Sequence, residues 1–289
     1  MKYINKSASP TLFQNYVDNN RVRNASRTGV NIWKIFKGNT EVKIDLHQSL
    51  LKEQGFICAY CGKKIGKEST DTFSVEHFEV KSNQPNLTLM YSNLLGCCKM
   101  SQPQIVKLED VKCSPKTFRN IAEELAIDIT DFRDKKEFGD DDDLELLGAK
   151  IMFNRGIPVH CDDGKEDRLR KIGWQEQTET VEDYVINPTK SVDCESYFEY
   201  ITDDTGIFCE IKAKENLPIT QRAKNTIYVF ELNTEYLRKA RTDAVKRVQT
   251  LRNSQKLGSD SEDILNEIYS LDSDGKLTPF CFVTAYFLV

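Results

Sequence analysis

Two cysteines separated by two residues, in Cys58-Ala59-Tyr60-Cys61-Gly62, constrain this chain more than any other feature. That gap lets both thiolates of one tight turn reach a single zinc ion, and a zinc centre dictates the fold around it. Glu76-His77 follows, a carboxylate suited to a hard divalent ion beside an imidazole suited to taking a proton. Asn93 comes next, and Cys98 lies five residues beyond it, with Cys97 as a competing thiolate. Taken singly, Cys58 and Cys61 also read as two buried thiols, and His77 as a hydrogen-bonded histidine at a strand end. Their company in one stretch favours metal binding and proton transfer. Cys113, Cys194, Cys209 and Cys281 lack paired spacing and are expected to pack as small apolar residues.

Nine cysteines would suit a disulfide framework only in a secreted chain, and residues 1–6 contain no apolar core of a signal peptide. A reducing cytoplasm is therefore expected. With 40 Lys and Arg against 45 Asp and Glu the net charge is -5, so no global field draws in a polyanion. Contact with nucleic acid then requires a local basic patch or a partner's surface. The apolar C-terminal run, residues 280–289, is about half the length that spans a bilayer and reads as a buried final element.

The first fifty residues read as helices and polar loops. Residues 42–54 place Ile44, His47, Leu50 and Leu51 near one face at helical spacing, with Gly55 as the stop. His47 reads as a core-edge or solvated residue rather than a ligand. Residues 56–77 read as a hairpin bearing the knuckle, and 91–98 as the start of a helix. Residues 121–131 are helix-prone, and the Gly-Asp-Asp-Asp-Asp run at 139–143 lacks the spacing of a calcium loop and reads as solvated. Further on, 197–201 and 206–211 read as a second hairpin. Asn233 is the expected cap of a helix over about 235–251, whose stripe is Leu237, Ala240, Ala244, Val248 and Leu251. Arg238, Lys239, Arg241, Lys246, Arg247 and Arg252 fall mainly off that stripe, as a phosphate track or a solvated face.

The order of CxxC, acidic–His pair, Asn and later Cys resembles the HNH nuclease family. More specifically, Met1-Lys2-Tyr3-Ile4, the lead-in from Leu50 to Cys61, Val75-Glu76-His77-Phe78 and His160-Cys161-Asp162 are similar to the HNH subunit of Septu-type and retron-linked anti-phage systems. So are Asn187-Pro188-Thr189, Phe198-Glu199-Tyr200 and the stretch from Thr226-Ile227 to Asn233. The resemblance runs in order along nearly the whole chain. It implies an ABC-type ATPase subunit as partner, and cutting of nucleic acid when infection is sensed.

In zinc-bearing members the second knuckle continues as CxxC, then His or Asn, then Lys three residues later. Here Cys98 is followed by Lys99-Met100-Ser101. The resemblance implies that the missing half returns in His160-Cys161-Asp162-Asp163-Gly164-Lys165, with residues 99–157 as a helical insertion. Loop closure costs grow only logarithmically with length, so such an insertion is tolerable. Structural Zn²⁺ would be held by Cys58, Cys61, Cys98 and Cys161, with Cys98 preferred to Cys97 by its offset from Asn93. By the same resemblance His77 is the general base, Glu76 and Asp162 hold one catalytic Mg²⁺ or similar ion, and Asn93 fixes the loop that orients His77. Lys165 meets a phosphate oxygen or is an exposed structural lysine, and His160 is secondary.

The expected class is α+β: a ββα-metal core with a zinc knuckle, a helical insertion and a mixed α/β C-terminal region. The expected divisions are a helical region at 1–55, the nuclease core at 56–172 and an assembly region at 173–289. DNA is the expected substrate. RNA such as tRNA is one alternative, and a non-catalytic zinc module that docks nucleic acid or a partner is another. An acidic chain that must reach a polyanion would borrow basic surface from the ATPase. No membrane association is expected.

Overall fold

The computed structural model describes residues 1–66, 73–98, 161, 164–202, 208–253 and 261–288. The expected insertion at 99–157, with its helix-prone and acidic parts, lies outside them, as do Cys113, His160 and Asp162. The described elements give a helical chain with two small antiparallel sheets, a mixed α and β architecture.

Three helices open the chain: α1 (Thr11–Asn24), α2 (Gly29–Lys37) and α3 (Thr40–Glu53). Thr28 and Asn39 cap α2 and α3 by accepting from Asn31 N and Val42 N. The buried stripe of α3 is Val42, Leu46, Leu50 and Leu51, whereas Ile44 is exposed. The expected face was thus rotated: i, i+4 spacing from Val42 points at α1 and α2. These helices share a core with Leu89, Tyr91 and Leu94, in which Phe13 and Phe36 meet edge to face.

The hairpin expected at 56–77 forms differently. Strand β1 (Phe73–His77) pairs antiparallel with β2 (Leu94–Cys98), with Glu76 opposite Leu95 and His77 opposite Leu94. Residues 94–98 are therefore a strand rather than the expected helix start. All five are buried, and a short apolar run buried on both faces carries no period that separates strand from helix. Gly96 decides the matter locally. A Cβ there would lie 2.8 Å from the Phe73 ring and 3.3 Å from the Gln54 amide. That amide pairs with the Gly96 backbone in both directions, accepting from Gly96 N at 2.7 Å and donating to Gly96 O at 2.8 Å. The side chain thereby acts as a strand neighbour for β2.

After the knuckle come α4 (Lys165–Lys171), the hairpin β3 (Phe198–Thr202) and β4 (Cys209–Ala213), and helices α5 (Thr220–Val229), α6 (Glu235–Asn253), α7 (Ser261–Tyr269) and α8 (Cys281–Leu288). The second hairpin and the long helix form where expected, and the C-terminal run is the buried helix α8. Two details differ. Thr234 rather than Asn233 caps α6, accepting from Leu237 N, while the Asn233 amide joins Ile211 N and O. Arg241 is buried, not on a solvated face, donating to Cys209 O, Leu232 O and Asn233 Oδ1. These carbonyls satisfy a guanidinium that burial would otherwise penalise. One apolar core joins Met1, Ile4, the knuckle, β3, β4 and α8. Among the described residues no helix is long and apolar enough to cross a membrane.

Candidate active site and metal centre

The knuckle is built by tight local hydrogen bonds. Cys58 N donates to Lys63 O, and Gly62 N donates back to Cys58 O. Gly62 adopts φ +76 and lies under Phe282, where a Cβ would come within 2.5 Å of the ring. Ala59 N donates to Gly96 O, bringing the turn onto β2 and the Cys98 side chain. Cys161 arrives from the other side, anchored by its N donating to Phe230 O at 2.9 Å, while Tyr60 stacks on Phe230 at 3.7 Å.

The sulfurs of Cys58, Cys61, Cys98 and Cys161 all lie within 4.8 Å of one another and are buried. Cys58 Sγ is 3.7 Å from Cys161 Sγ, and Cys61 Sγ is 3.7 Å from Cys98 Sγ. A regular tetrahedron with Zn–S bonds of about 2.3 Å has edges of about 3.8 Å, so the quartet fits a structural zinc. None of the four is disulfide-linked. Burial alone would raise the Cys58 thiol, but hydrogen bonds from Cys161, Cys61, Cys97 and Cys98 outweigh it and hold Cys58 well below its ordinary value. Burial, with Cys58, Cys61 and Cys98 as neighbours, pushes Cys161 well above its own. Sulfurs this close repel one another as thiolates, which a cation between them would relieve. Cys97, on the neighbouring strand position, is buried but stands outside the quartet.

Glu76 and His77 end β1, at the opposite end of the strand from Phe73, which pairs with Cys98, and both are only 3% exposed. Asn93 makes the chain reversal after them. Its Oδ1 accepts from Glu79 N at 2.7 Å, and its Nδ2 donates to Glu79 O at 3.1 Å and Leu87 O at 3.2 Å. With Phe78 N donating to Asn93 O, the amide continues the β1–β2 ladder past His77. His77 Nε2 lies 3.0 Å from Thr88 O. A carbonyl only accepts, so Nε2 carries the proton and the lone pair of the neutral ring is on Nδ1. Burial, helped by the positive charges of Lys81 and Lys165, pushes the His77 pKa down to about 2, so the ring is neutral at pH 7. Trp33 of α2 packs on it edge to face, 4.5 Å between ring centres.

Lys165, read as a phosphate contact or an exposed structural lysine, is 4% exposed. Its ammonium pairs with Glu76 Oε1 and donates to His77 O at 2.5 Å and Phe78 O at 3.2 Å. The buried carboxylate draws the lysine in as counter-charge. Together with Lys81, Gly164 and Arg170, the residues Glu76, His77 and Lys165 line a cleft of about 260 Å³ at the start of α4. Glu76 offers this cleft one hard oxygen donor for a divalent ion, and the second expected donor, Asp162, lies outside the described residues.

The structure thus brings together Glu76, His77 and Lys165 at one cleft, and Cys58, Cys61, Cys98 and Cys161 at one centre. His47 joins neither: it packs on Phe73, and burial lowers its pKa to about 4. Sequence reasoning missed Trp33, Thr88 and Glu79. The Glu79 carboxylate accepts from Val181 N and Glu182 N and so ties the same reversal to the chain beyond α4. No spacing relates these residues to His77 in one dimension.

The described residues thus present a four-cysteine cluster that could hold a metal ion and a strand ending in Glu-His at a polar cleft. No protein-family model matches the chain. The chain is 31% identical over 104 residues to an Escherichia coli protein described as "Retron Ec83 putative HNH endonuclease". The match takes in 34% of this chain and 37% of that relative's length. The likeness supports a nuclease of HNH type.

Proposed function

We propose that this chain is a metal-dependent HNH endonuclease of an anti-phage defence system, hydrolysing phosphodiester bonds of DNA together with an ABC-type ATPase subunit. The observation that carries the reading is His77: neutral, with Nε2 held by a backbone carbonyl, at a cleft it shares with Glu76. The neutral ring keeps a lone pair on Nδ1 that can take a proton from water, and the negative charge of a bound phosphate would raise the basicity that burial lowers. The zinc quartet holds β2 and the Cys161 end of the chain together, which fixes the cleft's walls. A divalent ion held by Glu76 and Asp162 would relieve charge on the scissile phosphate and the leaving oxygen. Asn93 keeps the reversal after His77 in place, and Lys81 lines the cleft as a cation.

Incubation with plasmid DNA and with total tRNA in Mg²⁺, with and without the ATPase, tests the reading. Loss of plasmid but not tRNA, strongest in the complex, is expected. Loss of tRNA alone would transfer the activity to RNA. Intact substrates in every arm, with zinc bound, would contradict the nuclease reading.

A further inference from the structure

The chain is acidic overall, yet its charge is unevenly placed. Of the first 55 residues nine are Lys or Arg and four Asp or Glu, whereas the remainder holds 31 against 41. Part of this excess lines a groove of about 740 Å³ between α1 and the segment 85–91, where Arg21 and Arg27 share the lining with Asn86 and Met90. Arg21 is exposed and Arg27 half-buried. No carboxylate pairs with either among the described residues, and Arg27 only donates to Asn24 Oδ1 at 3.2 Å. The one acid lining the groove, Asp18, accepts from Gln14 Nε2. Two open guanidiniums with Gln14, Asn24 and Asn86 offer cationic and amide donors along one concave track.

The groove is coupled to the cleft through its own wall. Segment 85–91 supplies Pro85, Asn86, Leu89 and Met90 to the groove, and Thr88 within it is the residue whose carbonyl holds His77 Nε2. Helix α2 closes the same corner. Gly29 approaches so nearly that a Cβ would lie 2.2 Å from Lys81 O, and Trp33 reaches His77. The exposed Lys34 and Lys37 of α2 add positive charge without ion-pair partners among the described residues.

We propose that this groove binds the phosphate backbone of a nucleic-acid strand leading away from the catalytic cleft, with Arg21 and Arg27 as its phosphate contacts. The protein then carries its own strand-docking surface, in addition to any that a partner lends. The inference rests on the nuclease reading for its substrate. Its test reads binding without cutting, so the two fail independently.

The test measures fluorescence anisotropy of labelled single-stranded DNA, single-stranded RNA and duplex DNA on the full chain, without added divalent ions, from about 50 to about 200 mM salt. Wild type is compared with Arg21→Glu/Arg27→Glu and with Lys224→Glu, an exposed charge reversal on α5. Melting temperature and zinc content serve as controls for folding. The double variant is expected to bind at least about tenfold more weakly at low salt, with a salt slope reduced by about 1.4 to 1.8 for two lost phosphate contacts. Lys224→Glu should change binding less than about twofold, as a charge outside the track. The arm showing the largest loss identifies the strand type. Equal affinity and slope in a folded double variant would overturn the proposal. So would no binding by wild type, or displacement of every strand by polyglutamate at equal charge.

Discussion

Replacing Asn93 with Ala removes three hydrogen bonds at once: from Glu79 N at 2.7 Å, to Glu79 O at 3.1 Å and to Leu87 O at 3.2 Å. Asn93 and Glu79 are buried, so water cannot readily replace the lost partners. At about 1 kcal/mol per bond the loss comes to about 3 kcal/mol, more if the Glu79 N–H stays wholly unpaired. For a chain of this size that corresponds to a drop in melting temperature of about 6–12 °C. The local consequence is sharper, because the amide extends the ladder that positions His77. A displacement of about 1 Å there costs about a hundredfold in rate. Thermal unfolding by circular dichroism and cleavage below the melting temperature read the two effects separately, with zinc content unchanged in both proteins. A variant that melts within about 2 °C of wild type and cuts at full rate would refute the positioning argument.

Cys161→Ser should cut bound zinc from about one ion per chain to well below it and lower the melting temperature, because the metal's binding energy is part of the folding energy. Metal analysis showing full occupancy would remove Cys161 from the centre. Gly96→Ala should destabilise the chain by about 1–3 kcal/mol, since its Cβ meets the Phe73 ring and the Gln54 amide; an unchanged denaturation midpoint would show that β2 has room to move. Trp33→Ala should lower kcat about tenfold with KM nearly constant, while Trp33→Phe keeps most of the rate by preserving an aromatic edge against His77. A matching rise in KM with kcat intact would instead make Trp33 a substrate contact.

Legibility in the sequence followed chemistry more than periodicity. Cysteines with metal spacing carry their meaning in residue type, so Cys58 and Cys61 were readable directly, whereas Cys98 and Cys161, 63 positions apart, joined them only through the family resemblance. The hairpin of β3 and β4 and the helix α6 were readable from alternation and from helical spacing. Residues 94–98 were not, because both faces of the strand are buried and only the pairing of Gln54 with Gly96 makes the choice. Arg241 and Lys165 read as surface cations because burial of a charge depends on partners distant in sequence. For Arg241 these are backbone carbonyls, and for Lys165 the Glu76 carboxylate. The contact of Trp33 with His77 likewise exists only once α2 is packed.

The most direct measurement compares wild-type protein and His77→Ala, each in complex with its ATPase partner, for cleavage of plasmid DNA in Mg²⁺, with zinc content and melting temperature recorded on the same preparations. The account predicts that wild type cuts and that His77→Ala loses activity by at least about a hundredfold, as removal of a general base requires, while zinc is retained. A zinc-loaded, folded His77→Ala that cuts as fast as wild type would contradict it.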